Sequence, residues 1–237
     1  MDLGWLDRVD TFWRRIFGVS ERAIGPVITR HRIPELRDSP GIYAVLRHET
    51  VHVSAPADVV ASIRQWQPTT VTVTDANWWH LHLPDWEVLG PSIHGFTDAS
   101  PSTSVQPTEL RIEPITPGRL RDLQSTVDRA EWGESGFAGG DVELAWRATD
   151  DAGRTVAAAN LTPFDGQPAD VGVLTDPGAR GRGAATTVAA VATTYAVQEF
   201  GIARWRALST NRASLRIAER LGFIADCRQI ALRPRLS

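Results

Sequence analysis

Apolar residues recur at helical spacing near the start of the chain. Leu6, Val9, Trp13, Ile16 and Phe17 fall on one side, with polar residues between them, and this spacing predicts an amphipathic helix from Leu6 to Phe17. From Gly41 to Val53 the pattern changes to two short runs rich in β-branched and aromatic residues. Ile42 to Leu46 and Thr50 to Val53 flank polar Arg47, His48 and Glu49, which predicts two strands joined by a turn. Pro56 to Trp66 reads as a helix, with Pro near its first turn, Asp58 early, and Val59, Val60, Ile63 and Trp66 in phase. Beyond it the signal weakens. Val71 to Val73 has the composition of a short strand, and Asn77 to Leu83 fits neither period.

The second half is more regular. A helix is expected from Pro117 to Ala130, with Leu120, Leu123 and Val127 in phase. Strands are expected at Val142–Ala148 and Thr155–Leu161, around the turn Asp150–Gly153, and at Val171–Leu174. A Gly- and Arg-rich turn then leads into a helix from Gly183 to Phe200. Val188, Val191, Ala192 and Tyr195 form its apolar face, and Gly201 is its stop. A strand at Arg204–Leu208, a helix at Asn211–Leu221 ended by Gly222, and a strand at Cys227–Leu232 complete the order. Between the halves, Asp98 to Thr108 is rich in Ser, Thr and Pro without apolar period, so it reads as a linker. Strands alternating with helices indicate an α/β protein. The division is 1–105, an N-terminal α/β segment, and 106–237, the domain carrying the informative motif.

Composition narrows the classes of function. A chain of 237 residues, 42% hydrophobic and 22% charged, has the makeup of a globular protein long enough for two domains. The net charge of −3 offers no basic excess, so no nucleic-acid partner is expected. No run of about 20 apolar residues exists to span a membrane. The start, Met1 to Asp7, lacks the basic and apolar regions of a secretory signal, which points to the cytoplasm. Cys227 is the single cysteine, so no intrachain disulfide can form. All six histidines lie before residue 95. On a strand His80 and His82 would point two rings the same way, but no third ligand accompanies them, so no metal site is expected.

One stretch bears on chemistry. From Val173, Leu174 and Thr175 the chain passes Asp176, Pro177, Gly178 and Ala179, then Arg180, Gly181, Arg182, Gly183, Ala184, Ala185 and Thr186. A buried strand ends, small residues turn the chain, and a long helix begins. Such a turn directs several backbone N–H groups inward, and the helix dipole adds positive potential there, so a pyrophosphate is the natural ligand. Arg180 and Arg182 supply charge. A plain glycine turn capping a helix is the alternative. A dinucleotide-binding turn fits less well. It requires Gly where Thr186 stands and an acid at the end of the next strand, where Ser209, Thr210 and Asn211 stand.

The pattern Arg180-x-x-Gly183-x-Ala185 resembles the Arg/Gln-x-x-Gly-x-Gly/Ala signature of the GCN5-related N-acetyltransferase (GNAT) superfamily. The flanks agree: Thr175, Asp176 and Pro177 at the strand end, then Asn211-x-x-Ser214 followed by Leu221, Gly222 and Phe223. The resemblance spans roughly residues 110 to 237 and is nearest to an actinobacterial, two-segment type. It implies a mixed, splayed central sheet flanked by helices in the C-terminal half. It also implies acetyl-CoA as acyl donor, with no metal. Val173, Leu174 and Thr175 would offer backbone groups to the pantetheine arm, and Arg180 to Thr186 would surround the pyrophosphate. Asn211 and Ser214 would lie near the thioester, although both residue types also favour plain helix capping. The first segment then reads as a degenerate copy of the same fold, lacking the turn, with Trp78, Trp79 and Trp86 as candidates to line an acceptor cleft.

The catalytic pattern departs from the superfamily. Where relatives place a Glu five residues before the Asn, this chain has Arg206. The other common Glu position is Ala169, beside Asp170, and the general-acid Tyr position is Ala218. Amine acylation still needs a route for the ammonium proton. Glu131 and Glu134, beside Trp132 and Gly133, are the candidate bases, with ordinary solvated carboxylates as the alternative. The expected activity is transfer of an acetyl group from acetyl-CoA to a primary amine of a small molecule or peptide. A non-catalytic acyl-CoA sensor is the rival. A homodimer formed through exposed strands is in keeping with the superfamily.

Overall fold

The protein is described by a computed structural model, over residues 4–18, 26–33, 36–37, 39–102 and 110–235. Residues 103–108 of the expected linker, and the first three residues, lie outside the described residues. The chain divides into two compact units. One comprises residues 1–94, 208–210 and 225–237, the other residues 95–207 and 211–224.

In the first unit, helix α1 (Trp5–Phe17) buries Val9, Trp13, Ile16 and Phe17 of the expected stripe, with Trp5 buried in place of Leu6, which is half-buried. Gly18 ends it at φ +66°, donating its N–H to the Arg14 carbonyl at 2.7 Å. Strands β1 (Val27–Arg30), β2 (Ile42–Arg47) and β3 (Thr50–Ala55) follow. β2 and β3 form an antiparallel hairpin, and β1 lies parallel to β3. β10 (Ile224–Pro234), from the far end of the chain, pairs antiparallel with β2, from Cys227 opposite Arg47 to Leu232 opposite Ile42. Helices α2 (Val60–Trp66) and α3 (Ala76–His82) cover a core that includes Ile42, Val53, Ile63, Trp79 and Ile230.

Two weak regions of the sequence resolve here. Asn77 to His82 is helical because Asp75 caps it, its carboxylate accepting the Asn77 N–H at 2.9 Å. On a helix, positions two apart do not share a face, so His80 is exposed while His82 lies against the rings of Trp66 and Trp78. Val71 to Val73 is a turn rather than a strand, with the Thr69 and Thr72 hydroxyls accepting each other's backbone N–H. A long strand that the pattern did not reveal, β4 (Trp86–Thr97), places residues 86–94 in the first unit and 95–97 in the second.

The second unit is built on β5 (Arg111–Ile115), β6 (Leu144–Thr149), β7 (Thr155–Phe164), β8 (Gln167–Thr175) and β9 (Ala203–Leu208). β5 to β8 form an antiparallel meander, and β9 joins parallel to β8 after the crossover helix α6 (Ala184–Phe200). α6 buries Ala184, Val188, Ala189, Ala192 and Ala196 against a face lined by Ala157, Ala159, Leu161 and Val171. Small residues on both sides bring helix and sheet close. Burial of Val188 alone is worth about 1.5–3 kcal/mol relative to exposure. Tyr195, expected in the apolar face, lies at its edge, 36% exposed and tilted over Trp146. Helix α7 (Arg212–Arg220) sits beside α6.

The opposite face of this sheet carries α4 (Arg121–Thr126) and α5 (Arg129–Glu134), with Leu120, Leu123, Phe137, Ala158 and Leu174 packed together. One helix was expected from Pro117 to Ala130. Instead a 3₁₀ turn (Pro117–Arg119) precedes two short helices divided at Val127, whose backbone is extended. The Ser125 and Thr126 hydroxyls donate to the Asp122 and Leu123 carbonyls, and Asp128 caps α5 by accepting the Glu131 N–H at 2.7 Å.

Candidate active site

The parallel pairing of β8 with β9 is short. Asp170 lies opposite Arg204 and Val171 opposite Trp205, and there the register ends, although β8 continues to Thr175 and β9 to Leu208. The two strands therefore splay. On its other side β8 stays paired with β7 through Thr175, opposite Ala157, and the Asp176 N–H donates to the Val156 carbonyl at 2.9 Å. Antiparallel bonding alternates, so Leu174 and Gly172 turn their peptide groups toward β7, and Val173 and Thr175 turn theirs to the splayed edge. That edge offers an extended ligand the donors and acceptors that β9 leaves unmatched.

The turn beyond Thr175 is tightly specified. The Asp176 carboxylate accepts the Gly178 N–H at 2.8 Å, and its carbonyl accepts the Ala179 N–H at 2.9 Å, closing a 3₁₀ turn over Pro177–Ala179. Gly181 and Gly183 then adopt φ of +76° and +86°, a region in which a side chain is strained. The Gly183 carbonyl accepts both the N–H and the hydroxyl of Thr187. Among the described residues, no backbone hydrogen bond employs the amides of Gly181 to Thr186 as donors. Those of Ala184 to Thr186 are the orphan N–H groups of a 17-residue helix, those of Gly181 to Gly183 belong to the turn that leads into it, and at the positive end of the helix dipole they suit an anion.

Arg180 and Arg182 differ in setting. Both Arg180 contacts go to the two carboxylate oxygens of Glu131 on α5, at 2.7 and 2.9 Å, tying the turn to the helix across the sheet. Arg182 is exposed and has no ion pair among the described residues. Asn211 caps α7, its side-chain oxygen accepting the Ser214 N–H at 3.1 Å, which leaves its amide N–H groups for other partners. The Ser214 hydroxyl accepts the Trp205 indole N–H at 3.0 Å and joins α7 to β9.

On the α5 face of the splay lies a second group of residues. Gly172 has no room for a Cβ, because the Ser135 carbonyl at the end of α5 and the Asn160 side chain press against it. Asn160 is fully buried, and its amide donates to that same carbonyl at 2.9 Å. Two residues back on the same face, the Asp170 carboxylate receives Arg204 at 2.9 and 2.7 Å and Arg206 at 2.8 Å. The Arg204 guanidinium also lies over the Phe164 ring, 4.6 Å from its centroid.

A family model described as an acetyltransferase (GNAT) domain matches residues 97–224. The chain belongs to the GNAT acetyltransferase family. A Drosophila protein of known structure superposes with a TM-score of 0.54 at 16% identity, over 86% of this chain and 77% of its own. A GCN5-related N-acetyltransferase-like protein from Streptococcus suis aligns at 15% identity over 83% and 84% of the two chains, with a TM-score of 0.48. An acetyltransferase assigned to the GNAT family, from Novosphingobium aromaticivorans, aligns at 21% identity over 65% and 69%, with a TM-score of 0.44. At these identities the likenesses concern the fold alone. The comparison with curated proteins yields no match.

Within this GNAT fold, the donor-side residues expected from the motif, Val173 to Thr175 and Arg180 to Thr186, form one continuous path from the splayed edge to the start of α6. Asn211 and Ser214 stand at the start of α7. Of the two candidate bases, Glu131 is held by Arg180, whereas Glu134 is exposed at the end of α5 with no ion pair among the described residues. The Asp170–Arg204–Arg206 cluster and the contact of Gly172 with Asn160 and Ser135 were not foreseen. A signal for the first existed: Arg204 and Arg206, two apart on a buried strand, share a face and require an acid there.

Proposed function

We infer that this GNAT protein transfers an acetyl group from acetyl-CoA to a primary amine of a small molecule or peptide. The observation that carries the reading is the conjunction of two features. The amides of Gly181 to Thr186 are unused at the head of α6, and the edge of β8 is unpaired where β9 leaves it. The diphosphate of the donor sits on those amides, with Arg182 beside it. The pantetheine arm runs along Val173 and Thr175 as an added strand, which places the thioester near Val171, where the strands rejoin. The helix dipole and oriented N–H groups need no reorganisation to receive the anion.

With α6 and α7 on the donor side, the acceptor approaches from the α5 face. Glu134 is the better placed of the two candidate bases, because a proton acceptor needs a free carboxylate within reach of the amine, directly or through one water. Glu131 serves the architecture, holding Arg180 and the phosphate turn against α5. Much of the rate then comes from positioning amine and thioester together. Calorimetry with acetyl-CoA and CoA tests the donor site. Release of free thiol across a panel of primary amines tests transfer.

A second reading, an acyl-CoA-binding module without turnover, is favoured by the residues at the usual acid–base positions: Arg206, Ala169 and Ala218. Acetyl-CoA binding with no thiol release over a broad amine panel would select it.

A further inference from the structure

Arg206 stands where β9 leaves β8. It is the first residue after Trp205, the last registered partner, so its backbone lies at the point of the splay. Alternation along β9 puts Trp205 in the core under α6 and turns Arg204 and Arg206 to the other face. Both meet Asp170, which shares that face with Gly172 and Leu174 beneath α5 and α4. The three members of the cluster are not equivalent. The side chains of Asp170 and Arg204 are 5% and 9% exposed, whereas that of Arg206 is 51% exposed.

Arg204 engages Asp170 through two N–H groups, one to each oxygen, and this satisfies the carboxylate. Arg206 joins through Oδ2, with its Nε and one terminal nitrogen both at 2.8 Å. The carboxylate thereby orients the Arg206 guanidinium, while half of that side chain remains open to solvent. A planar fork of donors, held from behind and open in front, is suited to bind a carboxylate bidentately. Its positive charge also opposes an approaching polycation.

Resting on the acyltransferase reading above, we propose that Arg206 is a specificity-determining residue that selects acceptors bearing a carboxylate near the reacting amine, such as amino acids and related zwitterions. The acceptor carboxylate docks on the free edge of the Arg206 guanidinium. Its amine is then held toward the thioester near Val171. The amine attacks the thioester carbonyl, the C–N bond forms as the C–S bond breaks, the thiolate leaves as CoA, and the ammonium proton passes to Glu134 or water.

The test uses the full chain at saturating acetyl-CoA, following thiol release with matched pairs: L-phenylalanine and phenethylamine, L-methionine and 3-(methylthio)propylamine, β-alanine and ethylamine, with spermidine as a polycation. In at least one pair the acid should exceed its decarboxylated partner by roughly tenfold or more in kcat/KM, since a site built to bond a polar group rejects the analogue lacking it. Arg206→Leu should abolish that preference, chiefly through KM, and Arg206→Lys should restore part of it. Asp170 keeps Arg204 in the Leu variant, and unchanged acetyl-CoA affinity by calorimetry shows that the fold and donor site survive. Should Arg206→Leu unfold, the Lys variant and the wild-type ratios decide. Equal or better turnover of the decarboxylated amines, or a preference that persists in Arg206→Leu, overturns the proposal. So does acetyl-CoA binding with no turnover of any acid, a result that leaves the donor site standing. Failure to bind acetyl-CoA at all would remove the acyltransferase reading itself.

Discussion

Each unit of this protein contains an arginine–carboxylate cluster, one guanidinium between two carboxylates in the first and one carboxylate between two guanidinium groups in the second. In the first unit Arg47 reaches Asp226 through Nε at 2.8 Å, Asp10 lies 2.5 Å from its Nη2, and the Trp13 indole N–H donates to Asp226 at 3.1 Å. The Arg47 and Asp226 side chains are 9% and 1% exposed, so this pair is sealed, while Asp10 at its rim is 32% exposed. Burial works against the Arg47 charge, but the bonds and charges of Asp226 and Asp10 outweigh it and raise its pKa. In the second unit Asp170 and Arg204 are sealed just as tightly, but Arg206 is left half open. A closed clamp joins α1, β2 and β10. An open one presents an oriented charge at a splayed strand. In the first cluster the more exposed member is a carboxylate and the guanidinium is enclosed as a fastener; in the second the exposed member is a guanidinium, open to meet an anion.

The largest effect expected is on the sealed clamp. Arg47→Ala leaves Asp226 buried without its cation and should cost about 3–5 kcal/mol of stability, read from the urea midpoint. A loss below about 1 kcal/mol would mean that water enters the cluster, and the contrast between the units would fail. Next is Gly172→Ala in the second unit. The new methyl must displace the Ser135 carbonyl or Asn160, at a cost of about 1–3 kcal/mol. Because α5 is what moves, turnover should fall more than acetyl-CoA affinity does. Equal losses would show that the α5 face and the donor path are not separable.

A pH titration sharpens the comparison further. Burial, followed by the charges of Arg47 and His48, lowers the His52 pKa from 6.5 to about 4, so the folded protein holds it neutral. The unfolded chain takes up a proton first, so stability should decline as pH falls from about 6.5 toward about 4. Glu87, Glu113 and Asp150 have pKa values lowered from 4.5, 4.5 and 3.8, led by a side-chain bond from Arg233, one from Arg147, and a backbone bond from Arg154 respectively, so their losses come at lower pH. Burial also lowers the His31 pKa from 6.5, so His52→Gln should reduce the slope in the upper window without removing it; an unchanged slope would refute this assignment. The smallest effect is expected at Glu131. The exposed Arg180–Glu131 pair should contribute only about 0.2–1 kcal/mol, and Glu131→Gln should lower kcat less than Glu134→Gln. The reverse order would make Glu131 the base.

Much of this was legible beforehand, where local rules and packing agree. α1 appeared at its expected place because five apolar residues share one side of a helix that ends in glycine. The turn into α6 was readable because Gly181 and Gly183 occupy conformations that other residues avoid. Reading failed where side chains compete with the backbone. The hydroxyls of Ser125 and Thr126 and the cap at Asp128 divided an expected helix, and Asp75 made a helix of an ambiguous stretch. β4 was missed because its half-buried positions follow no clean alternation.

The primary structure by itself determined most of the helices and strands in the second half, apart from β5 and the division of the helix expected over Pro117–Ala130, and where the glycines bend the chain before α6, and hence the family. These are near-neighbour properties, set by periodicity and by the φ angles that glycine alone takes readily. Only the tertiary structure decided that β8 and β9 part after Val171, that β10 returns to pair with β2, and that Asp170 holds two arginines of which one stays open. Those facts depend on residues far apart in the chain, and burial and register, which assign a charge either to fastening or to solvent, exist only once the strands have found one another.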